Sequence, residues 1–177
     1  KWKKKASISS HCYDLDLAPV SGAVPRKTRM RLVYTGNVFT GRSPDALLQA
    51  LNILARKMPL HELLQVDFVG SGTSYQQQAD DLGLGCIVTF HGVTPYISAL
   101  RIAAEADALL LMDAPSITPN PFLPSKVVDY MMFKKIILSL TPENGATADL
   151  MRQLEFPVVP PDNSLAIADA IEQLLVS

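Results

Sequence analysis

Residues 31–45 read Arg31-Leu32-Val33-Tyr34-Thr35-Gly36-Asn37-Val38-Phe39-Thr40-Gly41-Arg42-Ser43-Pro44-Asp45, and this stretch decides the fold. A short apolar run stops at a glycine. A polar loop with a second glycine follows, and a helix start comes next, with Ser43 as N-cap, Pro44 at the first helical position and Asp45 in the first turn. The helix is expected over Asp45–Met58, because Leu47, Ala50, Leu51, Leu54 and Met58 follow the three-four spacing of one helical face. Strand, loop and amphipathic helix in that order form the repeating unit of an α/β domain.

The same unit recurs along the chain. Apolar runs occur at Val66–Val69, Ile87–Phe90, Ala108–Met112, Ile136–Leu138 and Phe156–Val159, each bounded by Gly, Pro or Asp. Short continuous runs of this kind suit strands buried on both faces of a parallel sheet. The further helical segments are Ser74–Leu82, Tyr96–Glu105, Ser125–Phe133, Ala146–Leu154 and Ser164–Leu175. Six strands alternating with six helices predict a Rossmann-like, doubly wound sheet with helices on both faces and right-handed crossovers. This domain spans 30–177. Residues 1–29, broken by Pro19, Gly22 and Pro25, read as a linker.

The chain has 177 residues, of which 48% are hydrophobic and 19% charged, so it can bury a core without disulfide or metal staples. A net charge of -1 argues against a general nucleic-acid binder, which shows a basic face. Cys12 and Cys86 form neither a disulfide framework nor a zinc motif, and a reducing compartment follows. No apolar stretch approaches the ~20 residues of a membrane span, and the basic Lys1–Lys5 lacks the apolar core of a signal peptide. A cytoplasmic location is the expectation. The chain does not begin with Met and reads as part of something longer.

Ligands of doubly wound domains bind outside the carboxyl ends of the strands, so the residues after each strand carry the functional information. After the first strand, Gly36 and Gly41 let a ligand approach the backbone. The helix start at Ser43–Pro44 offers free N–H groups, and Arg42 adds a planar cationic fork that matches phosphate. A surface turn with an exposed Arg is the plain alternative. Gly70-Ser71-Gly72-Thr73-Ser74-Tyr75 begins like a dinucleotide fingerprint, but Tyr75 replaces the third glycine. No P-loop exists. His91-Gly92-Val93 follows the third strand, where His91 either meets a ligand or packs locally.

After the fourth strand come Asp113, a rigid loop with Pro119, Pro121 and Pro124, and Ser125-Lys126-Val127-Val128-Asp129. Ser125 is the expected N-cap. Lys126 and Asp129 share a helical face, which suits a surface ion pair. Alternatively, Ser125 and the helix terminus hold a phosphate while Asp129 accepts both hydrogens of a sugar diol. Asp113 alone also suits a phospho-acceptor domain, although Gly36-Asn37 stand where such domains carry acidic residues. Asp80-Asp81 read as a solvated face, and no metal motif lies at a strand end.

The series YTGN (34–37), GR (41–42), FVGSG (68–72), FHGV (90–93), AEADALLL (104–111) and PSKVVDYMMFKKIIL (124–138) resembles the C-terminal domain of group-one glycosyltransferases. These are retaining, metal-independent enzymes of the GT-B fold that use nucleotide-diphospho-sugars. The resemblance implies that the full-length protein transfers a hexosyl group and that this half binds the donor. An N-terminal acceptor-binding domain of ~150–200 residues would precede it. Peripheral membrane attachment of the whole enzyme is common where the acceptor is a lipid.

By position, the resemblance implies that Asn37 stands where the family often has an Arg on the diphosphate, and that Arg42 is the second cation of that pair. Gly36, Gly70 and Gly72 would open space for the nucleotide. The backbone of His91, Gly92 and Val93 would meet the base. Ser125 and Lys126 would lie over the phosphates, and Asp129 would hold the ribose. Two departures stand out: Asp129 is shorter than the family's Glu, and Pro121 occupies the place of a Glu that faces the donor sugar. No catalytic residue is assigned. A binding or scaffold domain that lost the chemistry, and half of a nucleotide-sugar epimerase, are the alternatives.

Overall fold

The structure, a computed structural model, describes residues 29–176 apart from Thr40 and Ile117. The linker expected over 1–29 therefore lies outside the described residues, Arg29 excepted. All six expected strands form: β1 (Met30–Thr35), β2 (Leu64–Val69), β3 (Val88–Phe90), β4 (Ala108–Met112), β5 (Ile136–Leu140) and β6 (Val158–Val159). They make one all-parallel sheet in the order β3-β2-β1-β4-β5-β6. The order reverses between β1 and β4, which places a topological switch point at their carboxyl ends.

The helices are α1 (Asp45–Lys57), α2 (Leu60–Leu63), α3 (Gln76–Asp81), α4 (Tyr96–Ala104), α5 (Lys126–Met131), α6 (Ala146–Gln153) and α7 (Ser164–Val176). Alternate strand residues serve opposite faces. Leu32, Tyr34, Phe68, Leu110 and Leu138 pack with α1 and α7, while Val33, Leu109, Leu111 and Ile137 pack with α4, α5 and α6. Both faces being covered, β4 is buried along its whole length. That is why its sequence is an unbroken apolar run instead of an alternating one.

Three boundaries differ from expectation. The N-cap of α1 is Pro44, one residue later than the expected Ser43, and its carbonyl accepts from Leu48 N at 2.8 Å. Ser43 instead donates its hydroxyl to Asp45 Oδ2 at 2.6 Å. The single helix expected over Ser74–Leu82 is a 3-10 turn at Thr73–Tyr75 followed by α3. The one-turn helix α2 carries no periodic signal, since four residues are too few to show one.

Tyr130 ties α5 to the middle of the sheet. Its buried Oη accepts from Thr35 N at 2.8 Å and donates to the Leu110 carbonyl at 3.2 Å, joining β1 and β4 where their carboxyl ends part. Tyr130→Phe leaves the part-buried Thr35 N–H and the Leu110 carbonyl without this partner. We expect a loss of about 1–3 kcal/mol, the cost of an unsatisfied buried donor. Urea unfolding would show it as a lower midpoint at unchanged slope.

Candidate functional site

The loop leaving β1 lies against the one leaving β2, with Gly36 N donating to Val69 O at 2.8 Å. Gly70 N in turn donates to Gly92 O at 3.0 Å, which fixes the loop after β3. A Cβ on Gly70 would collide with the Gly36 carbonyl, and Gly70 has φ +142°, so only glycine lets these strand ends come together. The turn at 39–42 is closed by Arg42 N to Phe39 O at 2.7 Å, and it returns Arg42 toward the sheet. On the far side of the switch, Ala146 N donates to Asn120 O at 2.9 Å, anchoring the Pro-rich loop that leads into α5.

These loops enclose a cleft of about 320 Å³ lined by Gly36, Asn37, Gly70, Val93, Ser125, Lys126 and Asp129, with Thr94 and Tyr96 on the α4 side. Seven of the eleven residues singled out from the sequence are thus brought together. Arg42 lies beside them, in range of Tyr34, Lys126 and Asp113. Gly72 packs behind the cleft on Val38. His91 does not line the cleft, its Nε2 lying 2.7 Å from Asp67 Oδ1, nor does Gly92; Val93 of the same loop does.

Asp67 has a side-chain exposure of 0% and is held from three sides, by Arg31 Nε at 2.5 Å, by Gln65 and by His91. Burial pushes its pKa up, but the hydrogen bonds from Arg31, His91 and Gln65 outweigh it and hold the carboxyl below its ordinary value. Arg31 also reaches Glu105 at 3.2 Å. A buried carboxylate is tolerable only when paired this fully. The network spans β1, β2 and the loop after β3, and it fixes that loop from behind.

The cations are the unusual feature. Lys126 is half-buried, but its Nζ is buried and lies 3.8 Å from the centre of the Tyr34 ring. Neither Lys126 Nζ nor Arg42 Nε has a hydrogen-bond partner among the described residues, although both atoms are buried. Burial, and then the nearby positive Arg42, push the Lys126 pKa down to about 7 against a smaller opposing pull from Asp113. The surface ion pair between Lys126 and Asp129 does not form. Asp129 accepts instead from Tyr96 Oη at 2.9 Å.

Ser125 stands at the N-cap position of α5 but has helical angles, φ -55° and ψ -32°, and makes no capping bond, contrary to expectation. Asp113 is buried and accepts from Thr141 Oγ1 at 2.9 Å, its other oxygen 4.0 Å from Arg42 Nη2. Tyr34 and Tyr96 were not among the residues singled out, because an aromatic in a strand or at a helix start reads as core. Asp113 offsets Arg42 only in part, and the buried Arg42 Nε and Lys126 Nζ lack hydrogen-bond partners among the described residues, so an anion would offset their desolvation. A second hollow of about 280 Å³ near the ends of β4, β5 and β6 is lined by five prolines with Glu143 and Asp162 and no cation, so it repels an anion. Among the described residues no group of His, Cys, Asp and Glu could hold a metal ion, and no described helix is long and apolar enough to cross a membrane.

Solved structures share this architecture. The crystal structure of Anabaena HepE in complex with UDP aligns at 19% identity and a TM-score of 0.63, covering 84% of this chain and 40% of that one. WaaG, a glycosyltransferase involved in lipopolysaccharide biosynthesis, gives 18% and 0.66, with 86% and 39% covered. The C-terminal domain of the glycosyl transferase group 1 family protein LpcC from Francisella tularensis gives 16% and 0.63, with 84% and 76% covered. The fold is that of the C-terminal domain of GT-B glycosyltransferases. The chain spans about two fifths of the length of the HepE and WaaG chains. No protein-family model and no curated protein sequence matches it. In this fold the cleft lies at the switch point between β1 and β4, the place where open α/β sheets take their ligands.

A Lys126 with its pKa near 7 is half neutral in the free protein at that pH. A bound anion favours the charged form and raises the pKa, so binding takes up a proton and affinity falls as pH rises through and above 7. Pyrophosphate titrations by calorimetry across this range, in buffers of different ionisation enthalpy, should show that uptake. Lys126→Met should abolish the part of the profile that is not the anion's own titration. A variant profile identical to the wild type would remove Lys126 from the anion site.

Proposed function

We propose that this chain is the nucleotide-diphospho-sugar-binding half of a retaining, metal-independent glycosyltransferase, which transfers a hexosyl group to an acceptor held by a preceding domain. The observation that carries this reading is that Lys126 Nζ in the cleft and Arg42 Nε beside it are buried without a hydrogen-bond partner among the described residues. A diphosphate supplies the charge they lack. The structures of HepE with UDP and with UDP and glucose add support from the same fold.

In this reading the bond between the anomeric carbon and the diphosphate oxygen breaks, and negative charge grows on the leaving diphosphate. Arg42 and Lys126 stabilise that charge from positions set before reaction. Asn37 lines the cleft and leaves the two cations to act without a third. Asp129 accepts hydrogen bonds from the ribose. Gly70 and the backbone at 91–93 leave a flat wall for the base. The acceptor and any general base belong to the other domain. A second reading, a domain that binds the nucleotide without transferring sugar, rests on Pro121 and Asn37, and transfer of a labelled sugar by the full-length protein separates the two.

The isolated chain should bind at least one of UDP, GDP and ADP and transfer no sugar. Arg42→Ala and Asp129→Ala should each weaken that binding roughly tenfold, about 1.4 kcal/mol. Calorimetric titration of the folded variants measures both. Unchanged affinity in either variant would withdraw the role given to that residue.

A further inference from the structure

Tyr96, the first residue of α4, has no role in the reading above. It is 51% exposed and lines the cleft, yet its Oη donates to Asp129 Oδ1 at 2.9 Å. The contact joins two elements that are distant in sequence, α4 and α5. A phenol has one hydrogen. With it engaged by Asp129, Oη can only accept from anything that enters the cleft. Burial, and then the hydrogen bond and charge of Asp129, raise the Tyr96 pKa, so the hydroxyl stays protonated at neutral pH.

Asp129 is tethered through one oxygen, which leaves Oδ2 for another donor. A diol presents two O–H groups and needs two acceptors. A long carboxylate with both oxygens free supplies them alone. An aspartate, one methylene shorter and with Oδ1 already accepting from Tyr96, keeps only Oδ2 with its full acceptor capacity. Oη and Oδ2 together make up the pair, and the phenol reaches further from its backbone than any carboxylate does. Resting on the proposed nucleotide site, we infer that Tyr96 and Asp129 form a composite acceptor for the ribose diol, with Tyr96 a specificity-determining residue for ribonucleotides.

The test titrates the chain with UDP, GDP and ADP, takes the tightest, and repeats the titration with its dideoxy counterpart, which lacks the diol. Tyr96→Phe keeps the ring and removes only Oη. It should lose about three- to tenfold in affinity for the ribonucleotide, the worth of one hydrogen bond to a neutral group, and bind the dideoxy nucleotide as the wild type does. Asp129→Asn should lose affinity likewise, and the double variant should lose less than the product of the two single losses. A ribo-to-dideoxy ratio in Tyr96→Phe equal to the wild type overturns this inference alone. Failure of the folded wild type to bind any of the three nucleotides overturns the site reading and this inference with it.

Discussion

Lys126 reaches its place because the chain leaving β1 carries no side chain at Gly36. A Cβ there would come within 2.6 Å of Lys126 Nζ, and the backbone at Gly36 has φ +127°, a conformation that residues with side chains rarely adopt. Through this gap the cation of α5 settles on the Tyr34 ring of β1, across the switch in strand order. The ring face offers a partial partner, worth roughly 0.5–2 kcal/mol. That is less than burial of an ammonium costs, and the low pKa of Lys126 records the difference. The free site is therefore held in an unfavourable electrostatic state that an incoming anion relieves.

The fold keeps this arrangement in place with interactions outside the cleft. Tyr130, buried below Lys126 on the same short helix, binds Thr35 and Leu110 and so fixes α5 to both strands of the switch. The Arg31–Asp67–His91 network fixes the loop after β3 from the opposite side. Neither group lines the cleft, and both are satisfied. Among the described residues, two of the four buried side-chain atoms without a hydrogen-bond partner belong to the cations beside the cleft, and the other two to Ser139 and Thr147 in the interior. Buried polar groups are rarely left without partners except where a function uses them.

The architecture was legible in the sequence because a parallel sheet covered on both faces demands uninterrupted apolar strands, and Ala108–Met112 is such a run. The amphipathic face of α1 was legible for the same reason, in the periodic positions of Leu47, Leu51 and Leu54. Seven of the marked residues meet in one cleft because glycines and N-terminal helix residues gather at the carboxyl edge of any such sheet. The chemistry of individual side chains was less legible. Lys126 and Asp129 share a helical face, which suggested an ion pair. Burial drew Lys126 under the β1 loop, and Tyr96 took Asp129. His91 turned toward Asp67, a strand residue 24 positions earlier.

Hydrophobic period and turn chemistry are local, and so the order of elements, their faces and the edge where a ligand would bind follow from the sequence alone. Pairings between side chains on different elements depend on distances that exist only after the strands align. The register that sets Asp67 of β2 beside Val33 of β1, and the crossover that returns the chain from β3 to β4, decide which charges are buried together. Electrostatic cost depends steeply on burial and separation. The buried Arg42 Nε and Lys126 Nζ without hydrogen-bond partners among the described residues, and the bond between Tyr96 and Asp129, were therefore properties of the tertiary structure only.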